Sequence, residues 1–312
     1  MRILRSALFL LVALLCMSYA KWGFYGHRLI TSLAIHTLPS DLIWFYKEKS
    51  NLLVEKSVAP DRRRYVIEAE GPRHYIDLDN YDDIDSIPKY WHAAIDRYGE
   101  RFLNDQGLGP WYTYYTYIKL IEAFKDRDEQ QIVLLSSDLS HYIADANVPL
   151  HTTSNYNGQK TGQTGIHGFW ETRLPQIFSD EYDFFVGRAE YIDDPQAIIW
   201  HAVFTANDLV DSIFIVERRA TEAVGEDRKF SFEDRGKKSV RVYSEKFALE
   251  FHFLLPTVEP QMRRSIKMVG DLWFTAWVEA GQPDLNDMVI PGIKPDSIEI
   301  DPTITPKRRH SF

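Results

Sequence analysis

Apolar positions fall at helical spacing along most of this chain. Leu29, Ile30, Leu33, Ala34 and Leu38 recur at i, i+3, i+4 intervals up to Pro39, and Ser40 or Asp41 can cap a second helix through Leu42, Phe45 and Tyr46. From Ile132 to Val148 the stripe Ile132, Leu135, Leu139, Tyr142, Ile143 and Ala146 predicts a long helix that Pro149 ends. A further helical stretch is expected from Pro195 to about Val224, and another carries Leu272, Trp273, Ala276 and Trp277 up to Gly281-Gln282-Pro283. Ser239 to Tyr243 alternates like a strand, but the stripe Phe247, Phe251, Leu254 behind it makes a helix an equal alternative. Thr152 to Thr164, rich in Gly, Asn and Thr, reads as a loop, and Gly225 to Lys238 as a polar hinge. No internal repeat or dividing linker interrupts the pattern. The expectation is an all-α fold, a single mostly helical domain over 21–285. Pro291, Pro295, Pro302 and Pro306 leave 286–312 as an extended C-terminal tail.

The first twenty residues stand apart. Arg2 and Arg5 precede an apolar run from Ser6 to Met17, too short for a bilayer span, and Ser18-Tyr19-Ala20 supplies the small residues of a cleavage site. Residues 1–20 therefore read as a signal peptide, and the protein as exported, periplasmic or extracellular. No later apolar stretch long enough to cross a membrane is expected, so no stable membrane span and no protein partner is predicted. The single cysteine, Cys16, lies inside the leader, which excludes an intrachain disulfide and any cysteine metal cluster. Ten histidines remain as the candidate transition-metal ligands.

The charge balance excludes one class of partner. With 36 basic and 45 acidic residues the formal charge is −9, which rules out nucleic-acid binding through a broad basic face, though not at one focused site. The aromatic run Trp111 to Tyr117 reads as helix packing rather than a stacking wall. Arg62, Arg63, Arg64 and Arg73 suit phosphate contacts or, equally, ion pairs with acids such as Glu68 and Glu70.

Histidine and carboxylate recur four residues apart at His141/Asp145, His167/Glu171 and His92/Asp96, a spacing that puts both side chains on one helix face. Chance alone gives roughly 1.4 such pairs at this composition, so spacing by itself decides nothing. Context separates them. His92/Asp96 stands alone and reads as a solvated helix face, whereas Asp145 is followed by Val148-Pro149-Leu150-His151 and the second pair lies one loop further on. His36, His201, His252 and His310 read as ordinary surface or packing residues.

The ordered set Trp22-Gly23 with His27, Pro60-Asp61-Arg62, His74-Tyr75-Ile76-Asp77, His141-x-x-x-Asp145-x-x-x-Pro149-Leu150-His151 and His167-x-x-x-Glu171 resembles the superfamily of zinc-dependent phospholipases C and fungal-type single-strand-specific nucleases. The resemblance implies a helical fold and three Zn2+ ions: the first on Asp61, His74, His141 and Asp145, the second on His151, His167 and Glu171, and the third on Trp22, His27 and Asp145. One departure bears on the third. The family's Trp binds through a free amino group at the mature terminus, whereas cleavage after Ala20 leaves Lys21 ahead of Trp22. Glu171, and the short gap between His151 and His167, lean towards the phospholipase branch.

The implied activity is that of an exported phosphodiester hydrolase, phospholipase C-like, in which a metal-bridged hydroxide attacks phosphorus in line. Asp61, Asp77 and Asp145 are its catalytic carboxylates; Asp77 either orients nucleophile or substrate, or steadies a ligand histidine. Tyr75 is positioned to stack on a choline-like headgroup or a base. The partner is a phosphodiester substrate, a phospholipid headgroup or single-stranded nucleic acid. Two alternatives stay open: a single-strand-specific endonuclease or nucleotidase with the same zinc cluster, and an inactive or structural zinc-binding helical protein.

Overall fold

The computed structural model describes residues 23–235, 238–285 and 288. The expected leader, Cys16, Lys21, Trp22, His310 and nearly all of the expected tail lie outside the described residues. Fifteen helices are labelled in chain order: α1 (Phe24–Ile35), α2 (Ser40–Glu48), α3 (Ser50–Lys56), α4 (Ala59–Arg63), α5 (Trp91–Tyr98), α6 (Glu100–Gln106), α7 (Gly109–Asp126), α8 (Glu129–Ala146), α9 (Ile166–Gly168), α10 (Leu174–Phe178), α11 (Pro195–Asn207), α12 (Val210–Val224), α13 (Glu226–Lys229), α14 (Glu245–Leu254) and α15 (Val258–Glu279). A two-stranded antiparallel hairpin, β1 (Phe230–Arg235) and β2 (Lys238–Tyr243), lies between α13 and α14. The expectation of a mostly helical, all-α fold holds.

Helix α8 runs through the middle. Asp128 caps it by accepting from Gln131 N at 3.0 Å, and Arg127 turns the chain out of α7 in the left-handed region at φ 53°. Ile132, Leu139 and Ile143 of its apolar stripe are buried to 0% exposure. Its small serines admit neighbours. Ser136 meets Tyr46 Oη at 2.8 Å and accepts from Trp273 Nε1 at 3.1 Å through its carbonyl, while Ser140 meets Thr31 at 2.7 Å. These contacts draw α1, α2 and α15 onto α8 and place their residues over the end where His141 and Asp145 stand. A second, smaller core gathers Ile76, Leu78, Leu103, Trp111, Trp200 and Val203 beneath the segment that carries His74.

Several sequence expectations are corrected. The helical stretch Pro195 to Val224 is two helices, broken at Asp208 and Leu209. The same stretch is long and apolar enough by composition to cross a membrane, with a window hydropathy of 1.3, contrary to the expectation that none would be. Burial accounts for part of its apolar character: Ile199, Trp200, Ala202, Val203 and Ala206 face the core, and Glu217 of α12 is buried in an ion pair with Lys229 at 2.7 Å. Ser239 to Tyr243 is strand, not helix, and the supposed hinge before it contains α13 and β1. Phe230 and Phe232 carry the alternation that betrays β1, masked by the charged residues around them. Within 111–117, Trp111, Thr113, Thr116 and Tyr117 are buried, and Trp111 packs against Trp200 at 5.0 Å, as helix packing requires.

Candidate metal centre

Seven separate elements each deliver part of one cluster. His27 comes from α1, Asp61 from α4, His74 from the end of a 3-10 turn (Glu68–His74), and His141 with Asp145 from the last two turns of α8. Pro149 forces the chain out of α8 into a second 3-10 turn (Pro149–His151), so His151 folds back towards the helix end it has just left. His167 sits on α9 and Glu171 on the π turn (Phe169–Arg173) that follows it. His27, Asp61, His74, His141 and Asp145 are buried.

The segment bearing His74 is held by its main chain. Ile76 N donates to His151 O at 2.9 Å, Asp77 N to Gln106 O at 2.7 Å and Gly109 N to Tyr75 O at 3.0 Å. Gly107 permits this approach. It lies at φ +98°, and a Cβ there would stand 2.2 Å from Tyr75 O.

Donor atoms converge in four overlapping groups: His27, Asp61 and His141; His74, His141 and Asp145; His151, His167 and Glu171; and His27, Asp145 and Glu171. The third of these is the set expected for the second ion, and the other groups bring every remaining expected side-chain donor among the described residues to the same place. Two details differ from expectation. Asp61 groups with His27 and His141 instead of with His74, and Glu171 also reaches His27, whose Nε2 lies 3.7 Å from Glu171 Oε1 and 3.4 Å from Asp145 Oδ1. Trp22 lies outside the described residues.

Hydrogen bonds set which ring nitrogens are left to bind. A backbone carbonyl can only accept, so His141 Nδ1, 2.8 Å from Ser57 O, and His151 Nδ1, 2.8 Å from His74 O, carry hydrogen. Their Nε2 atoms then turn towards other acceptors. His141 Nε2 lies 3.3 Å from Asp145 Oδ2 and 3.1 Å from His74 Nδ1, and His151 Nε2 lies 3.0 Å from His167 Nε2 and 3.6 Å from Glu171 Oε2. Lone pairs and carboxylates facing one another are stable only around a positive centre, a proton or a metal ion.

The electrostatics agree. Burial opposes ionisation of Asp145 and Glu171, yet neighbouring imidazoles outweigh it and hold both carboxyls well below the usual range. Burial likewise opposes charge on His141 and His151, but Asp145 and Asp61, joined at His151 by Glu171, together outweigh it and raise each to about 9. His27 Nδ1, His74 Nε2 and Asp145 Oδ1 are buried without a hydrogen-bond partner. Nitrogen and oxygen donors with no sulfur, aimed by carbonyls and left open on the inner side, fit zinc.

Around this cluster the arginines are ion-paired. Arg63 reaches Asp138 at 2.8 Å and Glu70 at 3.2 Å, Arg73 reaches Glu70 at 2.7 Å, and Arg62 reaches Glu55 at 2.8 Å. Glu70 is a partner that its nearness in sequence suggests, whereas Glu55 and Asp138 come from other helices. Glu70 is wholly buried, also accepts from Tyr142 Oη, and stands 3.9 Å from His74 Nε2.

A cleft of about 580 Å³ opens beside the histidines, lined by Arg64, Tyr65, Tyr75, Asp77, His151 and Tyr156 among others. Burial, with Asp79 adding to it and Lys160 opposing, pushes the Asp77 carboxyl up to about 6. Tyr65 and Tyr156 were not singled out from sequence. Their signal was only proximity to Asp61 and to the loop before His167. His92 and Asp96 are exposed, as are His36 and His201, while His252 stacks on Phe178 at 4.1 Å.

A helical frame closed around buried histidines and carboxylates defines a metal-dependent protein of the all-helical kind. The chain belongs to the zinc-dependent phospholipase C family: the family profile, zinc dependent phospholipase C, matches residues 26–217. That range holds all eight converging side chains. The structure is also similar to a crystal structure of Clostridium perfringens alpha-toxin isolated from an avian strain, with a TM-score of 0.50 and 13% identity over 85% of this chain. This chain spans 65% of the length of the toxin chain. No curated protein sequence gives a match.

Proposed function

We propose that this protein is an exported zinc phosphodiesterase of phospholipase C type that releases the headgroup of a phospholipid. The observation that carries the proposal is the pair of imidazoles, His141 and His151, whose Nδ1 hydrogens are committed to Ser57 O and His74 O while their Nε2 atoms face Asp145 and Glu171. His74, His141 and Asp145 would hold one zinc, His151, His167 and Glu171 a second, and His27 and Asp145 with Trp22 a third, with Asp61 beside His27 and His141 to join the first or the third. The second set supplies three side chains, fewer than the four of a closed structural site. When bound, zinc supplies a nucleophile from water near neutral pH and offsets charge on the phosphoryl oxygens.

The protein's own groups do the rest. Asp77 faces the cleft from the segment after His74, and among the described residues no side-chain hydrogen bond joins it to a ligand histidine. Its role is therefore to orient substrate or water and to hold a proton, not to steady a ligand. Tyr75 and Tyr156 wall the cleft and suit a cationic headgroup through their ring faces.

A second reading, a single-strand-specific nuclease, is favoured by those same rings, which suit stacking on a base. The ion-pairing of Arg62, Arg63 and Arg73 argues against it, since a polynucleotide backbone needs available cations. The test is zinc content together with hydrolysis of phosphatidylcholine micelles, single-stranded DNA and RNA, with zinc added and then chelated. Chelator-sensitive release of headgroup is the expected result. Fewer than two zinc ions per chain, or no hydrolysis of any substrate, would overturn the proposal.

A further inference from the structure

The mouth of the cleft has a feature that the chemistry above does not use. The turn after α4 leaves three apolar residues in water: Tyr65 is 49% exposed, Val66 82% and Ile67 44%. Slack does not explain it. Val66 N and Ile67 N both donate to Arg63 O, at 2.9 and 2.8 Å, and Ile67 O accepts from Glu70 N at 3.0 Å. The Arg63 side chain is in turn fastened to Asp138 and Glu70. The turn is a braced projection with an aliphatic tip. Arg64 and Tyr65 at its base line the cleft, so the tip prolongs the cleft wall outward, and Tyr156, 50% exposed, lines the same cleft.

We infer that Tyr65, Val66 and Ile67 form a docking element that enters the surface of a phospholipid bilayer, so that the cleft opens onto the headgroup layer. The inference rests on the phospholipase reading. Aliphatic side chains gain free energy by leaving water for the acyl boundary, and a Tyr ring with an adjoining guanidinium is at home at headgroup depth. Arg64 lies over the Tyr65 ring at 5.5 Å. Val66 and Ile67 offer no ring face to a base and no charge to a phosphate backbone, which disfavours a nucleic acid here. The cations leading into the turn are paired with acids. Arg62 reaches Glu55 at 2.8 Å, Arg63 reaches Asp138 at 2.8 Å and Glu70 at 3.2 Å, and the exposed Glu68 stands at the foot of the turn. A balanced rim matches a zwitterionic surface, and the attraction should hardly respond to salt.

The experiment compares the zinc-loaded wild type with Val66→Asp/Ile67→Asp in two assays. One is co-flotation on ice with phosphatidylcholine vesicles at low and high salt; the other is hydrolysis of dihexanoylphosphatidylcholine below its micelle concentration. The variant should partition to vesicles at least about tenfold less, with salt changing neither protein's partition much, and should cleave the dispersed lipid at the wild-type rate. Equal flotation of both proteins overturns the docking element, as does an equal loss of activity on dispersed lipid. If the wild type floats through this turn but cleaves no lipid, the phospholipase reading fails while the docking surface stands.

Discussion

Asp145 carries more of the site than any other side chain, because it lies between His74, at 2.9 Å, and His27, at 3.4 Å, and within reach of His141 and His151. Asp145→Asn removes a full charge from that position at nearly constant shape. We expect the helical circular dichroism to be kept, zinc content to fall, and headgroup release to drop by more than about a hundredfold, since even outer partners of a metal ligand are worth ten to a hundredfold. A fully active variant would remove Asp145 from the centre. Asp77 tests differently. Its carboxyl moves from 3.8 to about 6 on folding, so the folded chain holds that proton more tightly and stability falls as pH rises between those values. At pH 7 the ionised group costs on the order of 1 kcal/mol once its contact with solvent is allowed for. Asp77→Asn should therefore melt higher than wild type at pH 7, an advantage that shrinks as pH drops below 6.

Long amphipathic helices were legible because apolar positions recur at helical spacing: Ile132, Leu139, Tyr142, Ile143 and Ala146 of the stripe are buried in α8, although from His141 to Ala146 that helix is buried on every side. Elements whose stability comes from elsewhere were not. The π turn under Glu171 has no pattern of its own, and it is held by Arg173, whose Nε donates to Tyr243 O at 3.2 Å while Nη1 pairs with Glu233. Reading that contact needs the hairpin, which the charged stretch 226–238 disguised as a hinge. Arg173→Met should cost about 2–4 kcal/mol, a buried pair being broken, and should release zinc more readily because Glu171 shares the turn; thermal melts and zinc retention on dialysis check both. The turn before α7 is equally sensitive. Gly107→Ala would force a Cβ into Tyr75 O at a backbone conformation that L residues avoid, and should cost about 3 kcal/mol or more in chemical denaturation.

For the molecule as a whole, the candidate ligand residues were legible as an ordered set of types, while their arrangement was not, because it depends on seven elements meeting from different parts of the chain. Sequence order cannot say that Asp61 sits with His27, or that arginines next to ligands are spent on Glu55, Asp138 and Glu70. If zinc is the positive centre that the buried donors require, metal and fold are linked: chelation should lower the melting temperature by about 10 °C, the equivalent of roughly 6 kcal/mol for a chain of this size, and added zinc should restore it. An unchanged melt would place zinc outside the folded core. The contact from His151 Nδ1 to His74 O carries a last consequence. One donor's orientation depends on another residue's main chain, which no exchange of side chain at position 74 can remove. Drift at that position can delete a ligand of the first group while leaving the second aimed, so a relative stripped of one metal could persist as a working template for regaining it.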